Sequence, residues 1–223
     1  MARFTRLQVY NQVLNDKVVP LFYHKDIDIA LKVTGALYRG GSRLLEFTNR
    51  GDFAINVFSQ LVQKAADEFP EMIIGAGTVS DAPTAALYLA NGANFIVSPT
   101  FNPEVARLCN SRKVAYMPGC ATLTEIATAE EYGAEVVKLF PGETSGGPAF
   151  VKAVKGPRPW TSIMPTGGVS ADEDNLREWF SAGVACVGMG SKLVRSDYLK
   201  AQDYDSITET VKQAFAIIKK VTS

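Results

Sequence analysis

Short apolar runs rich in β-branched residues alternate with helix-patterned segments eight times along this chain. The apolar runs fall at 18–22, 43–47, 72–76, 94–97, 114–117, 135–140, 162–165 and 185–188. The segments that follow them, at 26–38, 52–68, 82–90, 103–110, 123–132, 149–155, 171–181 and 203–218, carry helical periodicity. A further short helix is expected at about 4–15. The punctuation agrees. "SDAP", "FNPE" and "SADED" place an Asp, Asn or Ser where a helix starts, and Asn91-Gly92, Gly133 and Gly183 fit helix stops. Strands that alternate with helices imply a parallel sheet. Eight units without a linker or a composition break predict an α/β fold, a single (β/α)8 TIM barrel over residues 1–223. The competing architecture is an open doubly wound sheet. Its G-x-G-x-x-G fingerprint does not follow the first run.

Composition excludes several classes. Lys plus Arg and Asp plus Glu each number 23, so the formal net charge is +0. Nothing in that balance draws the chain to nucleic acid or an anionic membrane. The longest uncharged stretch, 82–103, contains Pro83, Asn91, Gly92, Asn94 and Pro99, which does not suit a membrane span. The first residues carry Arg3 and Arg6 and no continuous apolar run, so a secretory signal is not expected. Cys109, Cys120 and Cys186 are odd in number and widely spaced, which suggests reduced thiols in the cytoplasm. His24 is the one histidine, leaving little material for a histidine metal centre or a catalytic triad.

The sixth apolar run holds an anomaly. "EVVKLFPG" places Lys138 among Val136, Val137, Leu139 and Phe140. Side chains alternate along a strand, so Val136, Lys138 and Phe140 share one face and Val137 and Leu139 the other. If the second face packs under helices, Lys138 points into the barrel near its mouth, where barrel active sites sit. Burial disfavours an ammonium and so favours the free amine, the form that attacks a carbonyl to give a Schiff base. A structural ion pair or a solvent-facing lysine is the competing account. In "RLLEFTNRG", Leu44, Glu46 and Thr48 share a face, so Glu46 reaches the same interior, as an acid/base or as a counter-ion. Arg50 follows at the rim, as a carboxylate clamp or an ordinary surface arginine. "PTGGV" and "VGMGS" put glycines after the seventh and eighth runs. Barrels frequently bind phosphate there through backbone N–H groups. Tight turns, or a site for a carboxylate, are the alternatives.

Taken together, these stretches resemble the 2-keto-3-deoxy-6-phosphogluconate / 4-hydroxy-2-oxoglutarate aldolases, which are class I pyruvate aldolases. "VVPLF", "LLEFTNRG", "GAGTV", "FIVSPTFNPE", "MPGCATLTE", "VVKLFPGE", "PTGGV" and "VGMGS" follow the family's order over nearly the whole chain. The resemblance implies a lyase in which Lys138 forms the Schiff base and Glu46 is the general acid/base. It implies that Arg50 and Thr78 hold the pyruvate carboxylate and that Pro99 and Phe140 wall the pocket. Gly167, Gly168, Gly190 and Ser191 become the phosphate cradle. It also implies a 2-keto acid substrate, pyruvate as product, no metal or other cofactor, no nucleic-acid or membrane partner, and a cytoplasmic homotrimer. Without Schiff-base chemistry, the alternative is a phosphate-binding barrel isomerase or synthase. Asn49, unusual for the family, and the loop 143–147 are where substrate specificity is expected to be decided. His24, just past the first run, is expected to be structural but close enough to the rim to meet substrate. Cys120 reads as packing or a free thiol.

Overall fold

The computed structural model describes residues 2–222; the first and last residues of the expected domain lie outside it. Helix α1 (Arg6–Asp16) leads into β1 (Val18–Phe22), and α2 (Ile27–Arg39), β2 (Leu44–Thr48), α3 (Ala54–Glu68), β3 (Ile73–Gly77) and α4 (Ala82–Ala90) follow. Next come β4 (Phe95–Val97), α5 (Pro103–Arg112), β5 (Ala115–Met117), β6 (Gly119–Cys120), α6 (Leu123–Glu131), β7 (Val137–Leu139) and α7 (Gly147–Lys155). The chain ends with β8 (Ile163–Pro165), α8 (Glu173–Ser181), β9 (Val187–Met189), α9 (Ser196–Ala201) and α10 (Tyr204–Thr222).

Local chemistry sets the boundaries. Asp81, Asn102 and Asp172 accept backbone N–H bonds at the starts of α4, α5 and α8, which satisfies donors that a helix start leaves unpaired. Gly92, Gly133 and Gly183 take φ of +96°, +82° and +97° just beyond the ends of α4, α6 and α8. That left-handed turn is cheap for glycine.

All strand pairs are parallel. They form a curled six-stranded sheet in the order β5-β4-β3-β2-β1-β9 and a three-stranded sheet in the order β6-β7-β8. The expected fifth strand is therefore two strands. Pro118 lacks an N–H and interrupts the ladder. Its carbonyl still accepts from Lys138 N at 2.8 Å. So β5 pairs with β4, and β6 pairs with β7. At the other junction an isolated parallel bridge joins Thr166 to Gly188. Outside the sheets, α10 packs against both α2 and α8.

Two buried clusters separate the faces of the strands. Val18, Leu45, Ile74, Ile96, Tyr116, Val137, Ile163 and Val187 pack outward beneath the helices. Their neighbours Val19, Leu44, Ile73, Phe95, Ala115, Val136, Met164 and Cys186 form the inner cluster. Each of these pairs obeys the two-residue period of a strand. Val9, Tyr10 and Val13 of α1 join the inner cluster and cover its N-terminal end. Tyr10 Oη is fixed to the Tyr116 backbone, donating to its O and accepting from its N at 3.2 Å each.

Candidate active site

The same period places the polar side chains. Two residues beyond inner Val136 is Lys138, and two beyond Leu44 is Glu46. Thr48, Thr166 and Gly188 follow by the same count from Glu46, Met164 and Cys186. The interior is thus apolar near the strand N-termini and polar towards their C-terminal ends.

Lys138 and Glu46 meet in that polar layer. Lys138 Nζ lies 3.6 Å from Glu46 Oε1, with side-chain exposures of 5% and 1%. The distance makes an ion pair but no hydrogen bond, and both carboxylate oxygens lack a hydrogen-bond partner. The hydroxyls of Thr48 and Thr166 are likewise buried without partners. Buried polar groups are seldom left unpaired, and these all belong to the polar layer. Glycines make room for them. A Cβ on Gly77 would overlap Glu46 Oε1, and one on Gly188 would overlap Thr166 Oγ1.

Above this layer opens a cavity of ≈ 580 Å³, a size suited to a small ligand. Arg50, Phe140, Gly167, Gly168, Gly190 and Ser191 line it. Phe140 connects it to the ion pair, because Lys138 Nζ lies 5.2 Å from the Phe140 ring centroid. Gly167 and Gly168 both have positive φ, +93° and +77°. The Gly168 carbonyl accepts from Asn175 Nδ2 at 3.1 Å and Trp179 Nε1 at 3.4 Å, which ties the turn to α8. The N–H groups of Gly168 and Ser191 have no acceptor among the described residues. Free N–H groups in glycine turns of this kind suit an anion.

The other expected site residues lie around the pair and not on the cavity wall. Thr78, at φ +59°, directly follows Gly77 beneath the Glu46 carboxyl. Pro99 packs through its carbonyl on Gly119, which is in register with Lys138. Asn49 does not line the cavity; it accepts from Tyr88 Oη of α4 at 2.9 Å, so its side chain is engaged by the helical layer. His24 is not on the cavity wall either. Its Nδ1 accepts from Asp26 N at 3.1 Å, at the start of α2. Burial pushes the Cys120 thiol up to about 12, so it stays protonated. Among the described residues no group of three His, Cys, Asp or Glu side chains could hold a metal ion, and no helix is long and apolar enough to cross a membrane. Sequence reasoning put Thr48 on the face of Glu46 without giving it a role, and passed over Thr166, Asn175, Trp179 and Lys192 as site residues. Parity from Glu46 and Met164 gives Thr48 and Thr166. Lys192 is flagged only by its place beside Ser191.

The profile of the family described as KDPG and KHG aldolase matches residues 9–210. The chain belongs to this family. It is 39% identical over 200 residues to the 2-dehydro-3-deoxy-phosphogluconate aldolase of Pseudoalteromonas atlantica, covering 89% of this chain and 90% of that one. It is 35% identical over 198 residues to the KHG/KDPG aldolase of Escherichia coli K12, covering 88% and 90%. The KDPG aldolase of Legionella pneumophila superposes with a TM-score of 0.82 at 30% identity, covering 90% of this chain and 95% of that one. That structure holds pyruvate captured at low pH as a covalent carbinolamine intermediate.

Proposed function

We propose that this family member is a class I aldolase that cleaves 2-keto-3-deoxy-6-phosphogluconate to pyruvate and glyceraldehyde 3-phosphate, and 4-hydroxy-2-oxoglutarate to pyruvate and glyoxylate. The observation that carries the reading is the buried Lys138–Glu46 pair at 3.6 Å beneath a cavity with free backbone donors. The Lys138 amine adds to the C2 carbonyl, and the carbinolamine loses water to give an iminium. Glu46 takes the proton of the C4 hydroxyl. The C3–C4 bond breaks, its electron pair moves into the iminium to form an enamine, and the aldehyde leaves. Glu46 returns the proton to C3, and water releases pyruvate and restores the amine. One carboxyl serves both proton transfers because the second undoes the first. In this reading Arg50 and Thr78 hold the substrate carboxylate, Pro99 and Phe140 wall the reacting carbons, and Gly167, Gly168, Gly190 and Ser191 cradle the phosphate.

The two sheets are read as one closed (β/α)8 barrel in a single domain. The hand-over at Pro118 and the Thr166–Gly188 bridge support that closure. A cytoplasmic homotrimer completes the proposal; light scattering should give three times the chain mass of 24.1 kDa. Catalysis is tested by coupling pyruvate release to lactate dehydrogenase with each substrate. Lys138→Arg should abolish release from both. Substantial activity in that variant would instead favour a phosphate-binding isomerase or synthase in which the lysine is only a charge.

A further inference from the structure

Three charged side chains line the cavity: Arg50, Lys192 and Glu143. The anion is the unexpected one. A site that only gathers a substrate with two anionic ends gains nothing from a carboxylate, which repels both. Glu143 is nevertheless held in place by the backbone. Its N–H donates to Gly167 O at 3.2 Å, and the preceding Gly142 N–H donates to Thr166 O at 2.8 Å. Gly146 N–H donates to the Glu143 carbonyl at 3.2 Å. These bonds fasten the loop after β7 to the glycine turn after β8. The Glu143 side chain then lies across Gly168, whose missing Cβ would stand 2.8 Å from Oε2 and 3.2 Å from Cδ. The carboxylate itself makes no hydrogen bond or ion pair with any described residue. An exposed acceptor held this way, across the Gly168 turn on the cavity wall, suits a neutral donor: a hydroxyl.

We propose that Glu143 is a specificity-determining residue that accepts a hydrogen bond from the substrate's C5 hydroxyl, between the scissile bond and the phosphate. The inference rests on the aldolase reading above. Glu46 serves the C4 hydroxyl, which reacts, and Glu143 the C5 hydroxyl, which does not. A hydroxyl bound to a charged acceptor lets a site reject the analogue that lacks it.

The test runs the reaction in the addition direction with the whole protein. Pyruvate is offered with D-glyceraldehyde 3-phosphate or with 3-oxopropyl phosphate, which lacks the hydroxyl in question. In Glu143→Ala the ratio of kcat/KM for the two acceptors should fall by about 10- to 100-fold from the parent value, through the hydroxylated acceptor. Glu143→Gln keeps shape and an amide acceptor and should fall between the two. A ratio within threefold of the parent in Glu143→Ala, or equal slowing with both acceptors, overturns the proposal. If the parent traps pyruvate on Lys138 but the ratio does not move, only this inference fails. If the parent traps no pyruvate, the aldolase reading fails and this one with it.

Discussion

Gly77→Ala tests the position of Glu46 without touching its chemistry. Gly77 ends β3, opposite Thr48 in register. A Cβ there would overlap Glu46 Oε1 and stand 2.5 Å from Cγ and 2.6 Å from Cδ. Carbon atoms in ordinary contact lie about 3.5–4.0 Å apart, so the carboxyl must retreat by about 1 Å. It has no solvent to retreat into, since Glu46 is 0% exposed. A misplacement of about 1 Å costs on the order of 100-fold in rate, and overpacking costs about 1–3 kcal/mol. We therefore expect kcat/KM for pyruvate release to fall about 100-fold. The urea midpoint should drop while the variant stays folded, and borohydride should still trap pyruvate on Lys138. Gly156→Ala is the control. Gly156 has φ −59° and its added Cβ would meet only Ala153 O, at 3.4 Å. That variant should keep full activity. If folded Gly77→Ala works within threefold of the parent, Glu46 does not need its observed place and the acid/base assignment is wrong.

Lys138→Met leaves the Glu46 carboxylate buried without its cation, which should cost about 3 kcal/mol in urea unfolding. The double variant Lys138→Met, Glu46→Leu should recover most of that loss; additive losses would mean that the pair is not coupled. Burial pushes the Cys109 and Cys120 thiols up to about 12. Their contribution to stability is complete below the free-thiol pKa of about 8.5 and is lost as pH rises towards about 12. Neither thiol should react with iodoacetamide at pH 8 before unfolding, and stoichiometric labelling of the native protein within minutes would contradict this. Desolvation raises the Asp16 carboxyl above its usual range, against the bonds from Arg43 N–H and the Gln12 amide. Its favourable contribution is present below about pH 3.9 and fades as pH rises through the folded pKa. Asp16→Asn should accordingly be more stable than the parent at pH 7 and equal to it near pH 3; lower stability at pH 7 would refute the burial argument.

The alternation of strands and helices is legible because each strand must hide one face beneath helices and the other inside. The first run, 18–22, coincides with β1 for that reason. The facing of Lys138 and Glu46 is legible by the same parity, counted from Val136 and Leu44. What escapes is too short or too distant. β6 has two residues and α9 six, too few to show a period. The Asn49–Tyr88 bond spans 39 positions, and nothing local tells whether Asn49 turns to the helices or to the cavity. The anchoring of Gly168 by Asn175 and Trp179 depends on how α8 lies against the turn, which is set by packing and not by either segment alone.

The central claim is that Lys138 is placed to become an imine. Sodium borohydride added to the protein with pyruvate, followed by peptide mass spectrometry, tests it directly. The account predicts one reduced pyruvyl adduct, on Lys138, which disappears in Lys138→Arg and forms more slowly in Glu46→Gln. No adduct, or an adduct on another lysine such as Lys25 or Lys192, would contradict it.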